Sequence, residues 1–178
     1  MGDRQWIRDA LGAHEGKLLA FALRITGDAD RARDVVQETF LALCKQRRED
    51  VEARLVEWLY SVARNEALDV LRKDGRMGAE SVNEVEVASV DASPAAVLEV
   101  REESSRVIGL LAHLPAKQRE VLRLKFQAGL SYREIANVTG HSIGNVGFLV
   151  HVGLKSLRER LAIGGVGVQG QVAKGQVS

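Results

Sequence analysis

The segment from Trp58 to Asn65 combines aromatic, basic and amide side chains that suit contacts with unpaired nucleotides. Aromatic faces stack on exposed bases, an amide bonds to base edges, and basic groups hold the phosphate backbone. The candidate residues are Trp58, Tyr60, Arg64, Asn65 and Arg72. Each aromatic residue also has an ordinary interpretation as part of the core, which for Trp58 taken alone is the more common outcome. We therefore predict a single-stranded nucleic-acid contact here and leave the role of Trp58 open.

A second cluster of signals, around Gly140, predicts a helix-turn-helix. Ser131 and Glu134 have the spacing of a capping box, in which each side chain accepts a hydrogen bond from the other residue's backbone N–H. Gly140 suits the turn because glycine tolerates a positive φ, and Val146 is placed to point inward. The second helix is predicted over residues 143–161, where it would enter a DNA major groove. The alternative is a plain helical hairpin.

The outward side chains of this region are candidates for contacts with duplex DNA. They are Arg119, Tyr132, Arg133, Ser142, Asn145, Phe148, His151 and Lys155. Asn145 is the candidate reader of a base edge, and Lys155 suits a phosphate contact. Arg123 and Lys125, on the preceding helix, are further candidates for phosphate contacts. Phe148 has the alternative of facing a protein.

A stripe along the second predicted helix mixes acidic residues with an apolar one. It consists of Asp34, Gln37, Glu38, Leu41 and Lys45, all opposite the predicted buried face. Such a stripe suits docking to a partner protein. Taken alone, it also fits an ordinary solvated helix face.

The surrounding pattern predicts an all-α chain with two small helical domains. The first domain is predicted over residues 1–76, with Thr26-Gly27-Asp28 as a tight connection between two antiparallel helices. Residues 77–100 carry acids but no Lys or Arg, and predict an acidic linker. The second domain is predicted over residues 101–162, followed by a disordered Gly-rich tail over residues 163–178.

Composition and motifs argue against several classes of protein. The net charge of the 178 residues is only +1, so charge must be judged locally. Cys44 is the only cysteine, which excludes an intramolecular disulfide, and we expect it to be a small buried residue. We expect no enzyme, no cofactor and no metal, since no phosphate loop, ligand cluster or nucleophile–base pair is present. A signal peptide and a membrane-spanning segment are also lacking, which predicts a cytoplasmic protein.

Two blocks of this sequence resemble extracytoplasmic-function (ECF) sigma factors. Phe21–Asp28, Ala32–Phe40 and Trp58–Asn65 are similar to region 2 of that family. Leu114–Leu122 and the predicted helix-turn-helix are similar to region 4. The blocks have the order and separation of the family and cover nearly everything except the linker and the tail.

The resemblance implies a function and a role for each surface. It implies a factor that binds core RNA polymerase and directs promoter recognition, DNA opening and transcription initiation. The stripe around Glu38 would then bind the polymerase β′ clamp, and the patch around Asn65 would read a flipped base of the −10 element. The helix-turn-helix would read the −35 element, its domain would bind the β flap, and the acidic linker would approach the RNA exit path. An anti-sigma factor is left open as a further partner.

The sequence departs from the family in the predicted recognition helix. Family members usually carry Thr-Val-Lys-Ser-Arg there, followed by another Arg. Here the stretch is Asn145–Leu149, Val152 stands at the later Arg position, and Gly147 and Gly153 weaken the helix by roughly 1 kcal/mol each relative to Ala. This favours weak −35 binding, or reading through Asn145, Phe148 and His151.

Two other kinds of protein remain as alternatives. One is a regulatory module that binds polymerase or an antagonist protein with weak or no −35 reading, which the depleted recognition helix motivates. The other is a dimeric helix-turn-helix repressor, which explains residues 114–161 but leaves the first domain unexplained.

Overall fold

The computed structural model describes residues 4–75 and 109–166, and the regular elements in these two stretches are all helical. The predicted all-α class is therefore confirmed. The helices are α1 (Gln5–Thr26), α2 (Ala29–Cys44), α3 (Arg48–Val51), α4 (Leu55–Lys73), α5 (Ala116–Phe126), α6 (Tyr132–Thr139) and α7 (Ile143–Val166), with a 3₁₀ turn at Glu52–Arg54. Residues 109–112 are helical as well. The predicted linker at 77–100 lies outside the described residues, and so does the predicted tail beyond residue 166.

The described residues form two compact units. One unit contains α1 to α4 together with Arg123–Ile143, and the other contains residues 109–122 together with those from Gly144 onward. The stretch Arg123–Ile143 belongs to the predicted second domain but is grouped with the first helices. The predicted boundaries at residues 76 and 101 fall outside the described residues and stay predictions.

The core of the first unit is made by the facing sides of α1, α2 and α4. Its largest buried side chains come from all three helices and follow helical spacing: Leu18, Phe21, Val35, Val36, Phe40, Leu43, Leu59 and Tyr60. Ala22, Ala32, Ala63 and Ala67 are also buried, and their small side chains let the helix backbones approach one another. On α2 the buried residues include Ala32, Val36, Phe40 and Leu43, which confirms that the face opposite the predicted stripe is the inner one.

The connection between α1 and α2 has the predicted tight form. Gly27 ends α1 at a φ of 68°, a left-handed conformation that glycine adopts without a steric penalty. Asp28 then caps α2, because its Oδ1 accepts a hydrogen bond from the backbone N–H of Arg31 at 2.9 Å. Two successive helix signals thus reverse the chain within two residues, which lets α1 and α2 pack side by side.

Several local predictions were wrong. Cys44 is exposed rather than buried, because it follows Leu41 by three residues and continues the outer side of α2. The last helix continues to Val166, five residues beyond the predicted Leu161.

The second unit explains one of the two glycines predicted to weaken α7. Gly153 is buried, and a Cβ atom there would lie 2.9 Å from Cδ1 of Leu122. Any larger residue would therefore push the Leu122 side chain out of its place. Gly153 weakens the helix but allows α7 to pack closely on α5, which explains why a glycine occupies this position.

Candidate nucleic-acid and protein-docking surfaces

The predicted docking stripe on α2 is exposed along its whole length. Asp34, Gln37, Glu38, Leu41 and Lys45 are all exposed, and the side chain of Leu41 retains 46% of its accessible surface. These positions lie within roughly one third of the helix circumference. The buried face of α2, which includes Val35 and Thr39, lies on the other side. Two acidic groups therefore precede an exposed leucine on the outer side of α2.

Tyr60 does not belong to the exposed patch that the sequence predicted. Only 3% of its surface is accessible, and its ring packs edge-on against Phe21 of α1 at 5.0 Å between centroids and 71° between planes. Burial raises the pKa of the Tyr60 hydroxyl, and the positive charge of Arg24 opposes that shift. A base cannot stack on this ring while the first unit is folded, so the assignment of Tyr60 to nucleotide contacts is wrong.

Three other residues of the predicted patch do line up on α4. Trp58, Asn65 and Arg72 are spaced seven residues apart, which places them one above another on a helix. Trp58 is half-buried, whereas Asn65 and Arg72 are exposed, and Arg72 forms an ion pair with Asp69. Arg64 lies beside this row and is half-buried. The row offers aromatic, amide and guanidinium groups in sequence, without Tyr60.

Helix α6 packs against α4 within the first unit. Nδ2 of Asn137 donates a hydrogen bond to Oε1 of Glu57 at 3.1 Å, and Nη1 of Arg24 donates one to Oε1 of Gln127 at 3.2 Å. Glu57 lies in the first turn of α4, two turns before Asn65. Asn65 therefore stays exposed in the presence of α6.

The predicted capping box and turn are present around α6. Oγ of Ser131 accepts from the backbone N–H of Glu134 at 3.3 Å, and Oε2 of Glu134 accepts from the backbone N–H of Ser131 at 2.7 Å. Leu130 and Ile135 are both buried. Gly140 ends the helix at a φ of 76°. These features fix where α6 starts and stops, as the sequence predicted.

Protonation of Glu134 is expected to destabilise α6 at low pH. Hydrogen bonds from Ser131, first from its side chain and then from its backbone, lower the pKa of Glu134 below the ordinary 4.5. A carboxyl whose pKa is depressed by folding stabilises the fold above its unfolded-state pKa, and that contribution is lost as pH falls through the folded-state value. Glu134→Gln keeps a hydrogen-bond acceptor but carries no titrating charge. Between about pH 6 and about pH 3, the α6 amides of this variant should therefore lose less protection against hydrogen exchange than those of the wild type.

Hydrogen exchange of the α6 amides measures this difference. The control is Ser131→Ala, which removes the other half of the box and should cost ~1 kcal/mol already at neutral pH. Identical pH profiles for the wild type and Glu134→Gln would contradict the stabilising role of the carboxylate.

Most of the residues predicted to contact duplex DNA reach the surface. Arg133, Ser142, Asn145, Phe148, His151 and Lys155 are exposed, as is Tyr132, over whose ring Nζ of Lys125 lies at 5.3 Å from the centroid. Arg119 is half-buried, and its Nη1 donates to the carbonyl oxygen of Ala112 at 3.3 Å. Asn145, Phe148, His151 and Lys155 share one side of α7, within roughly one third of its circumference.

Arg123 was wrongly predicted to contact phosphate. Only 8% of its surface is accessible, and its neighbours Val121, Leu122 and Leu124 are buried as well. Helix α5 is therefore covered around its whole circumference at this point, which leaves no exposed side for a phosphate contact.

The structure also contains contacts that no local sequence pattern indicated. Arg31, in the first turn of α2, forms an ion pair with Asp74 just after α4. The hydrogen bonds of Glu57 and Arg24 to the α5–α6 region likewise join residues far apart in the chain. Their only sequence signal is the charge or polarity of each partner, which does not identify the other one.

Neither a metal-binding cluster nor a membrane-spanning helix occurs among the described residues. No three His, Cys, Asp or Glu side chains there are grouped so that they could hold a metal ion. None of the helices in residues 4–75 and 109–166 combines the length and the hydropathy that crossing a bilayer requires.

Comparison with known proteins identifies two family regions in this chain. Residues 11–77 match the model of sigma-70 region 2, and residues 104–157 match that of sigma-70 region 4. The ECF RNA polymerase sigma factor SigD of Mycobacterium tuberculosis is 31% identical over 171 residues, which is 92% of this chain and 81% of that protein.

Two more similar proteins define the extent of the likeness. The ECF RNA polymerase sigma factor SigE of Mycolicibacterium smegmatis is 28% identical over 151 residues, which is 84% of this chain but only 59% of that longer protein. Among solved structures, the sigma factor RpoE of Bartonella quintana, in complex with the anti-sigma factor NepR, matches with a TM-score of 0.60 and 29% identity. That match covers 88% of this chain and 96% of RpoE.

Proposed function

Because this chain belongs to the ECF sigma factors of the sigma-70 family, we propose that it binds core RNA polymerase and directs it to promoter DNA. It would then open the DNA and permit initiation. The bond-forming chemistry belongs to the polymerase, so this chain contributes binding and not catalysis. The observation that carries the proposal is that both regions of a sigma factor occur in order in one chain.

The stripe on α2 is the proposed docking surface for the β′ clamp. It is exposed, rigid and continuous, and it combines the carboxylates of Asp34 and Glu38 with apolar Leu41. Apolar surface surrounded by charged groups suits a protein interface in which electrostatic complementarity selects the partner. The β flap is the proposed second contact on the polymerase, through the region 4 domain.

The row on α4 is the proposed −10 reader. Asn65 is its central residue, since it is exposed and its amide can bond to the edge of a flipped base. Trp58 is half-buried and keeps part of its surface accessible, and Arg64 and Arg72 offer positive charge for the backbone. Tyr60 supports this row from inside the bundle and does not contact DNA.

The exposed side of α7 is the proposed −35 reader. Asn145, Phe148, His151 and Lys155 occupy it, and Tyr132, Arg133 and Ser142 are exposed around the preceding turn. Lys155 suits a phosphate contact, and Asn145 suits a base edge. We further propose a cytoplasmic location and, because the similar RpoE is complexed with an anti-sigma factor, an antagonist protein as a further partner.

A second candidate function is a polymerase- or antagonist-binding module that reads the −35 element weakly or not at all. The observation that favours it is the scarcity of basic residues on the first half of α7, from Ile143 to His151. This candidate requires polymerase binding without any upstream sequence preference.

Transcription reconstituted from purified parts tests the proposal. The full chain and core RNA polymerase are incubated with fragmented genomic DNA, and the 5′ ends of the transcripts are mapped. We expect the start sites to share one pair of upstream sequences that core polymerase alone does not use. A complex of the chain with polymerase that yields no promoter-specific transcript would contradict the proposal and favour the binding module.

A further inference from the structure

The most unusual surface residue of α7 is Phe148. The side chain retains 62% of its accessible surface, although a phenylalanine gains free energy when it is buried. It lies in the middle of the exposed side of the helix, between Asn145 and His151. In this position its ring is available to a ligand that binds the exposed side of α7.

The neighbours of Phe148 are not those of a hydrophobic protein-docking patch. The positions one turn away are Gly144, Asn145, His151 and Val152. The first three are exposed and carry polar side chains or none, whereas Val152 is half-buried. A Cβ atom at Gly144 would have no atom within 4 Å, so the space beside it is open. Phe148 is thus the one exposed apolar side chain among these positions, whereas the centre of a protein interface clusters several apolar residues.

The charge around Phe148 does not repel a polyanion. The sequence from Tyr132 to Glu159 contains only one acidic residue before that last position, Glu134, and Glu134 is used in the capping box of α6. Over the same stretch His151, Lys155 and Arg158 are exposed, and α7 has no acid before Glu159. On the side of α7 that carries Phe148, no acidic side chain that would repel phosphate occurs before Glu159.

DNA offers one apolar group on a base edge in the major groove, the C5 methyl group of thymine. We propose that Phe148 is a specificity-determining residue that selects thymine in the −35 element by packing on this methyl group. The inference rests on the proposed function, since it requires α7 in the major groove. The absence of a side chain at the exposed Gly144, where the surrounding space is open, leaves room for the helix backbone and the ring to approach the groove floor.

The test compares thymine with deoxyuracil, which differs only by lacking that methyl group. The full chain is bound to core RNA polymerase, and promoter duplexes randomised over the upstream element are selected for binding. Each thymine of the selected element is then replaced in turn by deoxyuridine. At one thymine, we expect the replacement to weaken wild-type binding about fourfold, the factor that corresponds to burying one methyl-sized group.

Variants assign this effect to Phe148. Phe148→Ala should bind the thymine and deoxyuridine duplexes equally, and Phe148→Leu should retain part of the preference, because leucine keeps an apolar contact. Since Phe148 is exposed, neither change removes a core residue. The control is His151→Ala, which should weaken binding to both duplexes while leaving their ratio unchanged.

The outcomes separate this inference from the function on which it rests. If the holoenzyme selects an upstream element in which no thymine is sensitive to deoxyuridine, or if Phe148→Ala keeps the preference, only the inference is overturned. If the holoenzyme selects no upstream sequence, the placement of α7 in the groove is wrong as well. A loss of polymerase affinity in Phe148→Ala without DNA, at an unchanged thymine preference, would assign the residue to a protein contact and also overturn the inference.

Discussion

Glu38→Arg is expected to weaken binding of this chain to core RNA polymerase by about thirtyfold, which corresponds to ~2 kcal/mol. Glu38 is exposed on α2, beside Leu41 and one turn after Asp34. A partner that complements these carboxylates must present positive charge, so an arginine there places like charges in contact. Because the side chain has no part in the core, the helical bundle should remain folded.

Polymerase affinity can be measured by titrating labelled chain with core enzyme at two salt concentrations. The matched control is Glu15→Arg, which makes the same charge reversal at an exposed position of α1. The control should bind like the wild type, and the defect of Glu38→Arg should shrink in high salt as the charges are screened. Unchanged affinity of Glu38→Arg would remove the clamp assignment of the stripe, even if the chain initiates transcription.

Asn65→Ala is expected to leave polymerase binding intact and to reduce promoter opening by about thirtyfold. A bidentate amide contact to a base edge is worth about 1–3 kcal/mol, and extrusion of the base itself costs a few kcal/mol. Without the amide, that cost is no longer offset at the −10 element. Asn65 is exposed on α4, a different helix from the one that carries the stripe proposed to bind polymerase.

Open complexes can be counted by permanganate reactivity of unpaired thymines, with polymerase affinity measured in parallel. Gln5→Ala is a suitable control, since it removes an exposed amide from α1, where it bonds to Asp9. It should open promoters normally. Normal opening by Asn65→Ala would show that the row on α4 is not the −10 reader, whereas a joint loss of opening and polymerase binding would show that the variant acts through the fold.

Local sequence signals determined the helices themselves. Gly27 with Asp28 and Ser131 with Glu134 act within one or two turns, so their backbone geometry follows from short-range sterics and hydrogen bonds. The apolar spacing on α2 likewise assigned its inner and outer sides correctly. Membership of the sigma-70 family also follows from sequence, because region 2 and region 4 each match an unbroken stretch of the chain and occur in the family's order.

The tertiary structure decided which side chains of the segment Trp58–Asn65 remain available to a ligand. Tyr60 is inside because it shares a face with Ala63 and Ala67 and meets Phe21, a partner in another helix. The helical spacing of Tyr60 from the two alanines can be read from the sequence. That the Tyr60 ring packs against Phe21 of another helix cannot. Two other residues were also misplaced by sequence alone. Arg123 is buried although we expected it at the surface, and Cys44 is exposed although we expected it in the core.

The physical reason is a difference in range. Caps, turns and helical periodicity depend on residues within about one turn, so the printed sequence is enough to predict them. Burial depends on which helix packs against which, and on a rotation of about 100° between neighbouring residues that places one side chain inside and the next outside. The sequence by itself determined the helices and the family, and the packing of the helices decided that Asn65 and Phe148 are exposed while Tyr60 is not.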